Sequence, residues 1–271
     1  MKLSNKVVII TGASSGIGKA LAYRFAREGA NLVLGARQYV KMCEIAQDIE
    51  KTHGVKAIAI AADVAQESYC RDLVGETIKR FGRIDVLVNN AGISMRALFE
   101  EVDLKVIRDV MDVNFWGTVY CTKYALPEII RSKGSIVGIS SIAGYKGLPG
   151  RTGYSASKFA MQGFLESVRV ETLKKGVHVL VACPGFTASN IRNVALSKDG
   201  SSQGESPLDE QKIMQPEEVA DRIVKGVLAR KRDLVMTRQG KLTVWMNKLF
   251  PSLTDKLVYD HFAKEPDSPL K

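Results

Sequence analysis

The sequence predicts an α/β fold, a doubly wound parallel sheet of about seven strands with helices on both faces. Three observations predict it. Short apolar runs alternate with longer amphipathic segments. The runs are continuous, without polar alternation, which is how strands covered on both faces read. Glycines and polar residues collect just past the ends of successive runs, where open α/β sheets bind their ligands.

In chain order the predicted strands are Val7–Ile10, Asn31–Gly35, Ala57–Ala61, Ile84–Asn89, Ser135–Ser140, Val177–Cys183 and Asp233–Met236. The helical segments between the first four are Gly16–Gly29, Gln38–His53 and Gln66–Phe81. In the first, Ile17, Leu21 and Phe25 recur every four residues and share one face; in the third, Leu73, Thr77 and Phe81 do the same. No repeat or linker divides the 271 residues, a length that suits one large α/β core. The polar stretch Ser197–Gln211 reads as a surface loop placed to act as a lid. Past the seventh strand, Leu242, Trp245, Met246 and Leu249 make one apolar stripe over Arg238–Phe250. Pro251 ends that helix, and a second pattern carries Leu253, Leu257, Val258 and Phe262. Such stripes are expected to bury against something: the core or a second subunit first, otherwise a membrane or a ligand. If they cover a substrate pocket instead, their Met, Trp and Phe suit a lipophilic compound rather than a sugar.

Composition narrows the function. The hydrophobic fraction, 45%, is ordinary for a soluble protein, and no apolar run reaches the ~18 residues of a membrane span. The opening Met1–Lys6 runs straight into a strand, so a secretory leader is not expected and a cytoplasmic location is. Cys43, Cys70, Cys121 and Cys183 lack metal-type spacing and read as reduced thiols; with three histidines, no metal site is expected. The net charge is +10, with much of the excess in Lys225, Arg230, Lys231, Arg232, Arg238, Lys241 and Lys248. No stacking aromatics interleave these residues as nucleic-acid binding would require. A solvated basic face is expected, with contact to a membrane surface as the less favoured alternative.

The residues past the strand ends carry the chemistry. Gly12-Ala13-Ser14-Ser15-Gly16-Ile17-Gly18 joins the first strand to the first helix. Glycines there permit the tight turn, the approach of a pyrophosphate and close helix–strand packing, and the helix N-terminus faces the phosphates. The spacing is GxxxGxG rather than GxGxxG. Such sites choose their cofactor at the end of the second strand: an acid bonds a ribose 2′-hydroxyl, an arginine a 2′-phosphate. Here Leu34–Gln38 holds no acid and does hold Arg37, which points to NADP(H) ahead of NAD(H). Tyr154 and Lys158, four apart, share a helix face. A phenol with a pKa near ~10 is a poor base at neutral pH, and a nearby ammonium lowers that value. The tyrosine can then give a proton to a carbonyl oxygen as hydride arrives, or take one back.

Together these motifs resemble the short-chain dehydrogenase/reductase superfamily over about residues 5–190, and more weakly to about 236. Thr11–Gly18 is similar to its cofactor loop, Asn89-Asn90-Ala91-Gly92 to its fourth-strand motif, and Pro184-Gly185 with Thr187 to its nicotinamide-side motif. Asn114, Ser141, Tyr154 and Lys158 stand where its catalytic tetrad stands. The resemblance implies a Rossmann-type sheet. It implies that Ser141, preferred to Ser140 by its spacing to Tyr154, holds the substrate oxygen. Lys158 would bond the nicotinamide ribose and tune Tyr154, and Asn114 would hold a relay water. Asp63, with Val64, would contact adenine, and Asn90 would help wall the cofactor. Residues 1–237 would form the dinucleotide-binding and catalytic domain, with 238–271 a helical extension packed on it. The expected protein is a homodimer or homotetramer joined through helices near Asn114–Arg131 and Tyr154–Lys174, acting on a small carbonyl or alcohol. The alternatives are a non-catalytic nucleotide-binding sensor, or a basic membrane-peripheral protein on the same fold.

Overall fold

A computed structural model describes residues 3–204, 213–264, 268 and 270. Its sheet is formed by β1 (Val7–Thr11), β2 (Asn31–Ala36), β3 (Ala57–Ala61), β4 (Val86–Asn89), β5 (Ser135–Ile139), β6 (His178–Cys183) and β7 (Asp233–Val235). All six pairings are parallel and the order is β3-β2-β1-β4-β5-β6-β7. The predicted α/β class and doubly wound sheet are what the chain forms.

The apolar runs are continuous because both faces need them. Val8, Ile10, Leu32, Leu34, Val86 and Val88 enter one core with α1 (Gly16–Arg27), α2 (Tyr39–His53) and α7 (Pro216–Leu228). Their neighbours Val7, Ile9, Val33 and Leu87 enter the opposite core with α3 (Glu67–Phe81), α5 (Gly117–Ser132) and α6 (Thr152–Glu171). Successive strand residues point to opposite faces, so a one-residue slip would exchange the two sets.

The predicted boundaries shift by one or two residues, and local bonds say why. The fourth strand starts at Val86, not Ile84, because the Asp85 carboxylate takes the Val7 amide at 3.0 Å in place of a ladder partner. The first helix stops at Arg27, because Gly29 turns into the left-handed region at φ 78° and sends its amide to the Ala26 carbonyl.

Between β4 and β5 the chain forms α4 (Leu104–Met111), a π-helical turn over Asp112–Trp116, and then α5 without a break. Such a bulge inserts one extra residue into the helical repeat and re-aims its side chains. Here it carries Asn114 into full burial. The last described helices are α8 (Arg238–Leu249) and α9 (Pro251–Ala263). Thr237 caps α8 by accepting the Gly240 amide at 3.0 Å. No helix among the described residues is long and apolar enough to cross a membrane.

The predicted loop Ser197–Gln211 is described as far as Gly204; residues 205–211 of it lie outside the described residues. The described part is tied down. Leu196 bridges Met95 on one side and Ser202 on the other, and the Asp103 amide donates to the Lys198 carbonyl at 2.8 Å.

Candidate active site

The turn after β1 is held by its neighbours on both sides. The Gly12 amide donates to the Gly35 carbonyl at 2.7 Å, tying the turn to the end of β2. The Asn90 side chain donates to the Thr11 carbonyl at 2.8 Å and the Gly12 carbonyl at 3.2 Å, tying it to the end of β4. The Thr11 hydroxyl accepts both the Asn90 and the Ala91 amides at 3.0 Å. Gly12 has φ 65°, and a Cβ there would meet the Ala91 Cα at 2.9 Å. A Cβ on Gly18 would collide with the Gly12 carbonyl and the Asn90 amide. These two glycines therefore set how tightly the turn closes. Gly16 differs, since a Cβ there would meet only Ser189, at 3.3 Å. The start of α1 thus opens toward the segment after β6, with Ser14, Ser15 and Ile17 beside it. A cradle of backbone amides at a helix N-terminus fits a diphosphate, which is an observation in favour of a dinucleotide there.

Arg37 follows β2 directly, is exposed, and has no ion pair among the described residues. Asp63 is half-buried past β3, and its carboxylate accepts the Ala65 amide at 3.2 Å. That makes a local turn ahead of α3 and leaves one oxygen for another donor. Val64 is buried against Gly117. Past β6, the Thr187 hydroxyl donates to the Gly185 carbonyl at 3.0 Å, and Gly185 packs against Thr237, where any side chain would collide. Pro184 is buried beside them.

Around Tyr154 the side chains converge. The Asn114 amide is fully engaged by protein: its Oδ1 accepts the Ile93 amide at 2.8 Å, and its Nδ2 donates to the Ile93 carbonyl and the Ser157 hydroxyl, both at 2.9 Å. A Cβ on Gly92 would lie 3.1 Å from Asn114 Oδ1 and 3.5 Å from Lys158 Nζ, so this backbone passes directly beside both groups. Lys158 is buried, its Nζ donating to the Ile139 carbonyl at 2.9 Å and lying 5.7 Å from the centre of the Tyr154 ring. The serine doublet divides its work. Ser140 is buried and its hydroxyl accepts from Gln162 Nε2 at 2.8 Å. Ser141 is half-exposed, takes the Ala143 amide at 3.2 Å, and turns its hydroxyl toward Tyr154.

Burial pushes the Tyr154 phenol above its ordinary value; the Ser141 hydroxyl and the Arg151 charge pull it down without offsetting that. Burial also holds Lys158 down at about 8, which leaves it largely an ammonium at neutral pH. The pocket favours a protonated tyrosine.

The supporting roles of three residues escape a reading that stops at motifs: Thr11, which the cofactor-loop motif includes without a role, Ser157 and Gln162. Two of them were legible in helix spacing. Tyr154, Lys158 and Gln162 fall at i, i+4 and i+8, and Ser157 is three residues past Tyr154, its hydroxyl donating to the Tyr154 carbonyl at 2.7 Å. Thr11 is the one hydroxyl in an otherwise apolar strand.

A family model described as short chain dehydrogenase matches residues 6–199. The chain belongs to the short-chain dehydrogenase family. As a family member it is an oxidoreductase on a nucleotide-binding Rossmann fold, and the family uses NAD or NADP. Among its relatives is 11-beta-hydroxysteroid dehydrogenase A of Sesamum indicum, 34% identical over 99% of this chain and 79% of the relative. Another is dehydrogenase/reductase SDR family member 7B of Danio rerio, 35% identical over 97% and 87%. An alcohol dehydrogenase from Thermococcus sibiricus, solved with 5-hydroxy-NADP, superposes with a TM-score of 0.74 at 25% identity, covering 86% of this chain and 96% of that one. A short-chain dehydrogenase/reductase from Burkholderia phymatum, solved with NAD, has the same fold, with a TM-score of 0.83 at 22% identity over 93% and 96%.

Proposed function

We propose that this dehydrogenase interconverts a lipophilic carbonyl compound and its alcohol with NADP(H), using Tyr154 as general acid and base. The observation that carries this reading is the convergence of Ser141, Tyr154 and Lys158 on one spot beside the glycine cradle. The cofactor residues would be Gly12–Gly18, Arg37, Asp63, Val64, Asn90–Gly92 and Pro184–Thr187. When bound there, the nicotinamide supplies hydride to the substrate carbon or accepts it. The chain does the rest. The Ser141 hydroxyl donates to the substrate oxygen and fixes its place beside Tyr154. Tyr154 gives that oxygen its proton in reduction and takes it back in oxidation. The Lys158 ammonium, held by the Ile139 carbonyl, stabilises the phenolate that donation leaves behind. Asn114 and Ser157 keep the Lys158 helix in register with the end of β4. A phenol that its pocket keeps protonated is ready to donate, as reduction requires.

The lipophilic substrate class is supported by the apolar surroundings of Tyr154, which packs on buried hydrophobic residues. Met95, Ala97, Val102, Val106 and Val110 form a small third core there, with Ile93, Ile107 and Leu196 packed on it. The names of the steroid-dehydrogenase relatives agree with that chemistry. Incubating the protein with NADPH and a panel of ketones and aldehydes, followed by absorbance, tests the reading. Lipophilic ketones should turn over fastest; loss of NADPH with sugars alone would overturn it.

Cofactor choice is separately testable. Arg37 should contribute about 1.5–3 kcal/mol to NADPH binding through a charge-assisted contact with the 2′-phosphate. Arg37→Ala should then weaken NADPH roughly 10–100-fold in a fluorescence titration and leave NADH nearly unchanged. Equal affinities for both cofactors in the parent protein would defeat the assignment.

A dimer or tetramer is supported by an exposed aromatic face on the π-helical turn, α5 and α6. Trp116 stacks on Tyr120 with ring centres 5.6 Å apart, and Phe159 and Val170 also reach the surface. Light scattering at micromolar concentration should give the mass of two or four chains, and Phe159→Glu should lower it to one.

A further inference from the structure

The apolar stripe of α8 does not bury. Leu242, Trp245 and Leu249 are each about half exposed, and so are Phe250, Leu253 and Leu257 at the turn and along α9. Trp245 and Phe250 meet edge to face, 6.2 Å between centres, so the two helices share one patch. What does bury is the other side: Gly240 against Ile142, with Thr254 and Phe262 on α9. The patch is interleaved with cations. Arg238, Lys241, Lys248 and Lys256 are exposed and have no ion pair among the described residues. Of the two described acids on α9, Asp255 is already paired with Lys146, which leaves Asp260.

We propose that the α8–α9 hairpin is a docking surface for an anionic lipid bilayer. Leu242, Trp245, Leu249 and Phe250 would enter the boundary between headgroups and acyl chains, and the four cations would pair with lipid phosphates. Charge decides between the occupants. A second copy meeting this patch about a two-fold axis would set the same lysines against one another. An anionic bilayer offers the opposite charge over its whole area. Tryptophan favours the depth where apolar and polar zones meet. With no described helix able to cross a membrane, the hairpin lies on the surface rather than spanning it.

The placement couples docking to the site. Asn247 Nδ2 donates to the Tyr145 carbonyl at 3.0 Å, and the Lys146–Asp255 pair fastens α9 to the same turn. That turn follows Ser141, so a docked hairpin would present this side of the protein to the bilayer.

The test is co-sedimentation of the full chain with phosphatidylcholine vesicles, with and without phosphatidylserine. The protein should partition onto the anionic vesicles only, less so as salt rises, with a blue shift in tryptophan emission that Trp245→Phe abolishes. Lys241→Glu with Lys248→Glu should lower partitioning by about tenfold or more, and Trp245→Ser with Leu249→Ser should do likewise. Lys174→Glu with Lys175→Glu, in the turn that precedes β6, should leave it within about twofold of the parent. Circular dichroism and thermal melting confirm that each variant folds. Absence of the parent protein from anionic vesicles would overturn the proposal, as would equal loss in the Lys174/Lys175 variant. A fall in oligomer mass in the hairpin variants, without change in vesicle binding, would assign the patch to a second copy and overturn it as well.

Discussion

Tyr154→Phe should lower kcat by about 10²–10⁴-fold, the usual worth of a positioned general acid or base, while NADPH affinity stays within about twofold. The substitution removes the transferable proton and keeps the ring that packs on the small core of Met95, Ala97, Val102, Val106 and Val110. The separation of the two effects is the informative part. A variant that lost cofactor binding along with turnover would mean that the hydroxyl is structural, and turnover within about tenfold of the parent would remove Tyr154 from the chemistry. Stopped-flow measurement of NADPH oxidation, alongside a binding titration, reads both.

Lys158→Met should abolish turnover to a similar extent and yet raise the stability of the protein without cofactor. Burial holds the Lys158 pKa at about 8, against 10.5 for free lysine. Between those values the unfolded chain binds a proton that the folded chain has released, so stability rises with pH across that window. Below pH 8 the cost of the buried ammonium is fully present. Methionine has a similar length and no charge. Its gain, set against the lost bond to Ile139, should net about 1–3 kcal/mol at pH 7, or roughly 2–10 °C in Tm. The advantage should shrink as pH rises from 8 to 10.5. Thermal melts of both proteins at pH 7, 9 and 10.5 check the sign. A variant less stable than the parent at pH 7 would show that the Ile139 bond outweighs the charge.

Much of the sheet was legible because burial on both faces leaves a direct mark. Val7 to Ile10 must be apolar at every position when Val8 and Ile10 serve one core and Val7 and Ile9 the other. The positions around the cofactor turn were legible for a different reason, since only glycine tolerates the left-handed turn at Gly12 or the approach at Gly18. What stayed hidden depends on partners far away in sequence. That Ser140 rather than Ser141 is taken up by the protein follows from Gln162, on another element. The sign of the Tyr154 shift depends on desolvation, which no spacing encodes. The outward turn of the α8 stripe was not legible, because periodicity reveals that a helix has an apolar side but not which way it faces. On the opposite side of α8 it is Gly240 that is buried, packed against Ile142.

The strand order also sets a timetable for synthesis. β1 pairs with β2 on one side and with β4 on the other, so it is a central strand whose second partner comes late. Once Ala61 has been made, β3, β2 and β1 can align, but β1 keeps a free and largely apolar edge until Asn89 follows. At about 5–20 residues per second that interval lasts about 1–6 s. An unpaired apolar edge invites pairing with another chain, so this is one interval in which a nascent chain needs shielding. Slowing translation between residues 62 and 89 should increase aggregation, whereas slowing it beyond residue 140, after β4 has sealed that edge, should matter much less.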